Sequence, residues 1–248
     1  MITIKYEHEL SIMRKAGQIV ADILNRVSDM IKPGVTTAQI DSFMESILHK
    51  TGAKAAFKGY NGFPAAVCTS VNEEVVHGIP GPRRLNEGDI VGIDFGVVWQ
   101  GFYSDAAITV PVGEISPEVR RLLKVTQECL QLAIEKAYPG ERLGVVSNTV
   151  QKHAESQGFS VVRDYVGHGI GRAMHEEPPV PNYGRPDRGP TLKEGMTIAI
   201  EPMINMGGWE VMVQPDNWTV VTRDKGFSAH FEHTIAITSR GPEILTRL

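Results

Sequence analysis

The stretch Asp89-Ile-Val-Gly-Ile-Asp94-Phe-Gly-Val-Val-Trp99-Gln-Gly-Phe-Tyr-Ser-Asp105-Ala-Ala-Ile-Thr109 sets two acids inside runs that otherwise read as buried strands. Residues 90–98 and 102–110 are apolar and rich in β-branched and aromatic side chains, and Trp99-Gln100-Gly101 joins them as a hairpin connection. A lone ionised carboxylate in such surroundings carries a large desolvation cost, or shifts its pKa until it is neutral. If Trp99-Gln100 is a two-residue turn, Asp94 falls directly opposite Asp105, with Cβ atoms about 4.5–5.5 Å apart on one face. On a helix the same separation would set the two roughly 16 Å apart along the axis. Like charges so close repel unless a cation or a shared proton lies between them. Two solvated acids on an exposed hairpin are the alternative, and the flanking Ile-Val-Gly-Ile and Ala-Ala-Ile argue against it. A shift of the turn toward Gly101 would undo the direct pairing.

Outward from the hairpin, the pattern turns helical on both sides. Leu10, Met13, Ala16, Val20, Ile23, Leu24, Val27 and Met30 recur at three- and four-residue steps, which predicts a helix over 7–31 ended by Pro33-Gly34. A second helix begins at Thr36, where Thr36 and Gln39 fit a capping box, and Gly52 suits its far end. Residues 65–71 read as a buried strand. After the hairpin, Ser116-Pro117 opens another helix, Pro139-Gly140 ends it, and a partner helix runs over 143–157. Strands are expected near 159–163, 196–204, 218–222 and 229–238. Helix pair then strands thus occurs twice, which suggests a duplication into halves of about 1–113 and 114–248, fused as one domain because no linker separates them. Two unrelated helix pairs sharing a connector would look the same.

The chain has 248 residues, with 25 Lys+Arg against 29 Asp+Glu and 42% hydrophobic residues, as expected for a soluble globular protein with a sizeable core. The mildly acidic balance argues against nucleic acid as a partner. Two cysteines, Cys68 and Cys129, make no disulfide framework and suggest a reducing compartment. No signal-peptide pattern and no apolar run of membrane-spanning length occur, so a cytoplasmic protein without membrane contact is expected.

Three later segments supply groups that match the two aspartates. Val166-Gly-His168-Gly-Ile-Gly171 holds a histidine between glycines. Gly195-Met-Thr-Ile-Ala-Ile-Glu201-Pro202 ends an apolar strand on an acid, and Ala229-His-Phe-Glu232-His233 begins one with another. Each alone is weak, because a single Glu at a strand end is usually a surface residue. Together Asp94, Asp105, His168, Glu201 and Glu232 form an oxygen-rich donor set suited to Mn, Fe, Co or Zn. Four negative charges balance two divalent ions, and setting them aside brings the acids level with the bases. Two such ions, roughly 3.5–4 Å apart, could hold a hydroxide as nucleophile.

These residues resemble the methionine aminopeptidases, in their short type I form. The strings that carry the resemblance are Val67-Cys68-Thr-Ser-Val-Asn-Glu-Glu-Val-Val-His77-Gly-Ile-Pro, Asp94-Phe-Gly with Asp105 beyond it, Gly-His168-Gly-Ile-Gly, Met174-His175-Glu-Glu-Pro, Glu201-Pro and Phe-Glu232-His-Thr. They run in family order over about residues 5–245. The resemblance implies a mixed α/β (α+β) pita-bread fold: a curved antiparallel sheet of two pseudo-symmetric halves with helices on its outer face. It implies hydrolytic removal of an initiator methionine from peptides and nascent chains, with a preference for a small second residue. Two divalent ions (Co, Mn, Fe, Zn or Ni) would be held by Asp94, Asp105, His168, Glu201 and Glu232, with Asp105 and Glu232 bridging and a metal-bound hydroxide attacking the carbonyl. Glu201 would be the general base, His175 would contact the carbonyl or oxyanion, and His77 the scissile amide and leaving amine. Tyr60, Phe63, Cys68, Met174 and Trp218 would wall the methionine pocket, with His77 and His175 at its rim. Family members often carry Phe where this chain has Met174. The resemblance also implies a monomer, with the ribosome as a candidate partner. Proline dipeptidases and X-Pro aminopeptidases share fold and ligands but usually carry an extra N-terminal domain, for which 248 residues leave no room. A non-catalytic binding module would have lost ligands that are all present here.

Overall fold

The computed structural model describes residues 1–247. In chain order the elements are α1 (Glu7–Ser28), α2 (Thr37–Leu48), β1 (Lys54–Ala55), β2 (Cys68–Val71), β3 (Glu74–Val76), β4 (Ile90–Trp99) and β5 (Phe102–Pro111). Then come α3 (Pro117–Ile134), α4 (Leu143–Ser156), β6 (Ser160–Val161), β7 (Gly167–Gly169), β8 (Glu176–Val180), β9 (Thr197–Ile200) and β10 (Met203–Asn205). The chain ends with β11 (Val211–Val213), β12 (Val220–Thr222), β13 (Ser228–His230), β14 (Glu232–Thr238) and β15 (Gly241–Ile244). A nine-stranded antiparallel sheet is ordered β1-β4-β5-β14-β9-β7-β8, with β2 also on β4 and β15 also on β14. Two three-stranded sheets, β13-β10-β6 and β11-β12-β3, flank it. This is the curled sheet with helices that the pita-bread expectation requires.

The hairpin forms, but not with the register expected. Trp99 pairs with Phe102, so Gly96 lies opposite Asp105 and Asp94 opposite Ala107. The turn is Gln100-Gly101, with φ of 48° and 82°. A two-residue hairpin of this hand needs positive φ at both central positions. Gly101 therefore belongs inside the turn, and bulky Trp99 goes into the strand. The slip is two residues, so both acids still face the same side of the sheet.

That parity organises the molecule. On β4, Ile93, Phe95 and Val97 pack with α1 and α2, while Asp94 and Gly96 face the other way. On β9 and β14, Ile198, Ile200, Ile235 and Ile237 pack with α3 and α4, while Ala199, Glu232 and Thr234 turn to the opposite face. Period-2 alternation thus gives the sheet an aliphatic side under the helices and an acidic side away from them. Ser116 and Thr36 cap their helices as expected, each accepting the N–H three residues on. Helix α1 ends at Ser28 rather than 31, because its last residues tighten into three-residue turns before Pro33.

Two expected strands are each broken in two. Pro202, with no N–H to give, separates β9 from β10, and Phe231 separates β13 from β14. At both breaks the chain crosses between the large sheet and the β13-β10-β6 sheet. Glu201 and Glu232 sit at those two crossings. The elements β1, β3, β7, β8, β11 and β15 are short strands that carry no clear alternation in the sequence.

Candidate metal centre and its pocket

Strand register gathers the donor set in two rows across the acidic face. One row runs Cys68, Asp94, Ala107, Glu232 over β2, β4, β5 and β14. Glu201 continues it one step past the pair His233–Ile200. The next row runs Gly96, Asp105 on β4 and β5, then Thr234, Ala199, His168 on β14, β9 and β7. Ala107 separates Asp94 from Glu232, and Ala199 separates Thr234 from His168, so small side chains leave room between the donors. Gly167 and Gly169 flank the histidine for a steric reason. A Cβ at either would overlap a carbonyl oxygen of a neighbouring strand, Ala199 or Glu177. The glycines thus serve the close approach of strand to strand.

Donor atoms of Asp105, His168 and Glu232 lie within 4.8 Å of one another. His168 Nε2 is 3.6 Å from Asp105 Oδ2 and 3.6 Å from Glu201 Oε1. Its Nδ1 is 2.9 Å from the Gly169 carbonyl, which can only accept, so the ring proton belongs on Nδ1. The Nε2 lone pair is then left facing carboxylate oxygens. Thr234 Oγ1 lies 3.0 Å from Asp105 Oδ1 and braces it, and Asp94 Oδ1 is buried without a hydrogen-bond partner.

Burial pushes all four carboxyls upward, Asp94 and Glu201 to about 8 and Asp105 and Glu232 also above their ordinary range; neighbouring acids reinforce it at Asp94, Glu201 and Glu232, while His168 and Thr234 oppose it at Asp105. Among the described residues near the site no lysine or arginine neutralises them. The residues therefore fit a cation. The cluster is acid-rich, one nitrogen lone pair points into it, and an orphaned carboxylate oxygen remains.

Over this floor lies a cavity of about 180 Å³. That is below the roughly 300–1,000 Å³ of sites for drug-sized ligands and suits one side chain. Every residue expected for the site borders it: Asp94, Asp105, His168, Glu201 and Glu232 below, with Tyr60, Phe63, Cys68, His77, Met174, His175 and Trp218 around. Phe63 meets Trp218 edge-to-face at 5.1 Å, and Met174 is buried against Phe63 and Cys68. Burial raises the Cys68 thiol well above its usual pKa, so it is a neutral wall group. His77 is held at φ 61°, with its ring edge toward Tyr165 and Trp218.

Tyr60 Oη lies 2.7 Å from His175 Nδ1. Burial raises the phenol's pKa, and partial desolvation of the ring beside His168 and His77 lowers that of His175 to about 4, although the residue as a whole is exposed. The phenol therefore donates to Nδ1, and a neutral imidazole keeps its proton on Nε2. Burial likewise lowers His77 to about 4.

Phe57 and Asn61 also border the cavity. Asn61 sits at positive φ within the Gly59-Tyr60-Asn61-Gly62 turn, a pattern that could have flagged it. Buried His230 lies 3.6 Å from Glu201 Oε2. It stands two residues before Glu232, and no motif logic singles it out.

A catalytic fold of this kind, with a carboxylate-and-histidine centre under a one-residue cavity, defines a metal-dependent hydrolase. The metallopeptidase family M24 model matches residues 11–239. The methionine aminopeptidase of Clostridium perfringens is 53% identical, with 99% of both chains covered. Methionine aminopeptidase 1 of Bacillus subtilis is 52% identical over the full length of both. The crystal structure of methionine aminopeptidase from Thermotoga maritima superposes with a TM-score of 0.99 at 51% identity, covering 100% of each chain. Prolidase from Pyrococcus furiosus shares the fold alone, with a TM-score of 0.81 at 24% identity and 65% of that chain covered. The chain belongs to metallopeptidase family M24 and, within it, to the methionine aminopeptidases.

Proposed function

We propose that the protein hydrolyses the peptide bond after an N-terminal methionine, in peptides and nascent chains, using two divalent ions held by Asp94, Asp105, His168, Glu201 and Glu232. The observation that carries this reading is the meeting of five donors on one sheet face with a cavity sized for one side chain. Bound divalent ions would supply Lewis-acid polarisation of the scissile carbonyl and a lowered pKa for the attacking water.

The chain's own residues divide the rest of the work. Phe63, Cys68, Met174 and Trp218 offer aromatic and sulfur surface to an unbranched thioether. His175, with its proton on Nε2, donates to the carbonyl oxygen as negative charge develops there. Glu201 takes the proton from the attacking water on its carboxylate and passes it to the leaving amine. His77, lowered to about 4, is a weak proton source near neutral pH and acts as a hydrogen-bond partner to the scissile amide. A preference for a small second residue, a monomeric state and a cytoplasmic setting belong to the same proposal, and the relationship to methionine aminopeptidases supports them.

The test uses Met-Ala-Ser and a Gly-Pro dipeptide. Methionine release that stops on chelation and returns with Co, Mn, Fe, Zn or Ni supports the proposal. Chelator-insensitive release, or cleavage of Gly-Pro in preference to Met-Ala-Ser, overturns it.

A further inference from the structure

His175 and Met174 do not stand on the sheet. They sit in the connection between β7 and β8, outside either strand. Something must hold that connection, because a donor displaced by an ångström loses much of its effect. We propose that Lys5 and Glu176 are positioning residues for His175 and Met174, forming a buried ion pair that locks this loop to the start of the chain. The inference rests on the aminopeptidase reading and adds to it a residue pair outside the cavity.

Lys5 Nζ lies 2.5 Å from Glu176 Oε2, and the two side chains are only 2% and 11% exposed. The other oxygen, Glu176 Oε1, accepts the N–H of Arg172 at 2.7 Å and of Ala173 at 3.2 Å. One carboxylate therefore joins Lys5 to the backbone immediately before Met174. The Lys5 backbone is itself fixed, its N–H donating to the Gly195 carbonyl at 2.7 Å. The Lys5 stem lies against Gly171, where a Cβ would collide with it. From the other side, Tyr103 N–H donates to the Gly171 carbonyl at 2.7 Å.

A second strap is weaker. Arg172 donates to Glu9 Oε1 at 2.8 Å and lies over the Phe102 ring, but its side chain is 64% exposed. The buried pair thus dominates. Its attraction is largely offset by desolvation, so the intact pair adds little net stability and acts mainly on the geometry of what it holds, although removing one partner alone strands the other charge and lowers Tm.

Lys5→Met keeps the stem and removes the charge, and Glu176→Gln keeps a carbonyl oxygen for the two loop amides. With Met-Ala-Ser, each variant is expected to lose roughly 10- to 100-fold in kcat/KM, mostly in kcat. Divalent-ion affinity by calorimetry should stay at the wild-type value. In the zinc-loaded protein the His175 ring-proton resonances should shift, and the Arg172 and Ala173 amides should exchange faster. The double variant should be no worse than the poorer single variant, because the two act as one unit. Variants that lower Tm but keep wild-type kcat, KM and His175 resonances would overturn the proposal and leave the pair structural. If wild-type protein released no methionine, the aminopeptidase reading would fail. The clamp would still be judged on the His175 resonances and loop amides, which need no substrate, and unchanged signals would overturn it.

Discussion

The cavity floor is built from side chains on β4, β5, β7 and β14 with Glu201 at the end of β9, whereas most of its wall comes from connections between strands. Tyr60 lies in a short turn, Phe63 just after it, His77 beyond β3, Met174 and His175 before β8, and Trp218 before β12. Cys68, at the start of β2, is the wall residue that shares a row with the floor. Sheet register spaces Asp94, Asp105, His168 and Glu232 to within ångströms, and none of these four can move without its strand, while Glu201 is held one residue past β9. The wall can change shape loop by loop. The ion-holding groups are thereby separated from the groups that fit the substrate, with His175 and His77 the two polar contacts that the loops contribute, and the two regions should respond differently to substitution.

The largest effects should come from the floor. His168→Ala and Glu201→Ala are expected to drop methionine release below detection while far-UV circular dichroism remains native. Retained turnover in either metal-replete variant would break the distinction at its root. A subtler probe removes no ligand at all. Ala107→Leu fills the space between Asp94 and Glu232, and divalent-ion affinity by calorimetry should fall by about 10- to 100-fold, as it does when the surroundings of metal ligands are disturbed.

Stability should report the floor's charge. In the metal-free protein burial pushes Asp94 and Glu201 up to about 8, from ordinary carboxylate values of 3.8 and 4.5. Their contribution to stability is fully present below the unfolded values and is lost as pH rises to about 8, because over that range the unfolded chain releases these protons while the folded chain still holds them. Bound divalent ions remove that loss. The gap in Tm between ion-loaded and chelated protein should therefore widen from pH 5 to pH 8, and a gap that narrows would contradict the burial of these acids without cations.

Changes to the apolar part of the wall, away from His77 and His175, should be smaller and fall on binding. Trp218→Ala should raise KM roughly tenfold with kcat little changed, since an aromatic contact contributes about 1 kcal/mol beyond its area. Cys68→Ala should have the least effect of all, with kcat retained. A dead Cys68→Ala enzyme would make the thiol a chemical group rather than a wall.

The same contrast explains what could be read from the residues alone. Acids within apolar strands betray the floor, because each violates the burial rule that its neighbours obey. Alternation gives β4, β5, β9 and β14 their faces, and Thr36, Ser116 and the Pro-Gly pairs mark helix ends. The hairpin register slipped by two because turn chemistry at Gln100-Gly101, not symmetry between the acids, decides it. The wall was legible only through resemblance. Tyr60, Phe63 and Trp218 have no periodicity, and only the folded loops bring them together. Lys5 and Glu176 lie 171 positions apart and look like ordinary surface charges until the chain is folded.

The order in which the floor is drawn from the chain has a consequence for synthesis. The first of the proposed ligands is Asp94 and the last, Glu232, enters only with the penultimate strand of the main sheet, so on this reading an incomplete chain has no centre to load. Strand β14 lies between β5 and β9, and pairing it closes long stretches of chain at once, a topology that favours slow folding over local assembly. Ion binding should then lag helix formation during refolding, which makes metal uptake a report on chains that are both finished and correctly threaded.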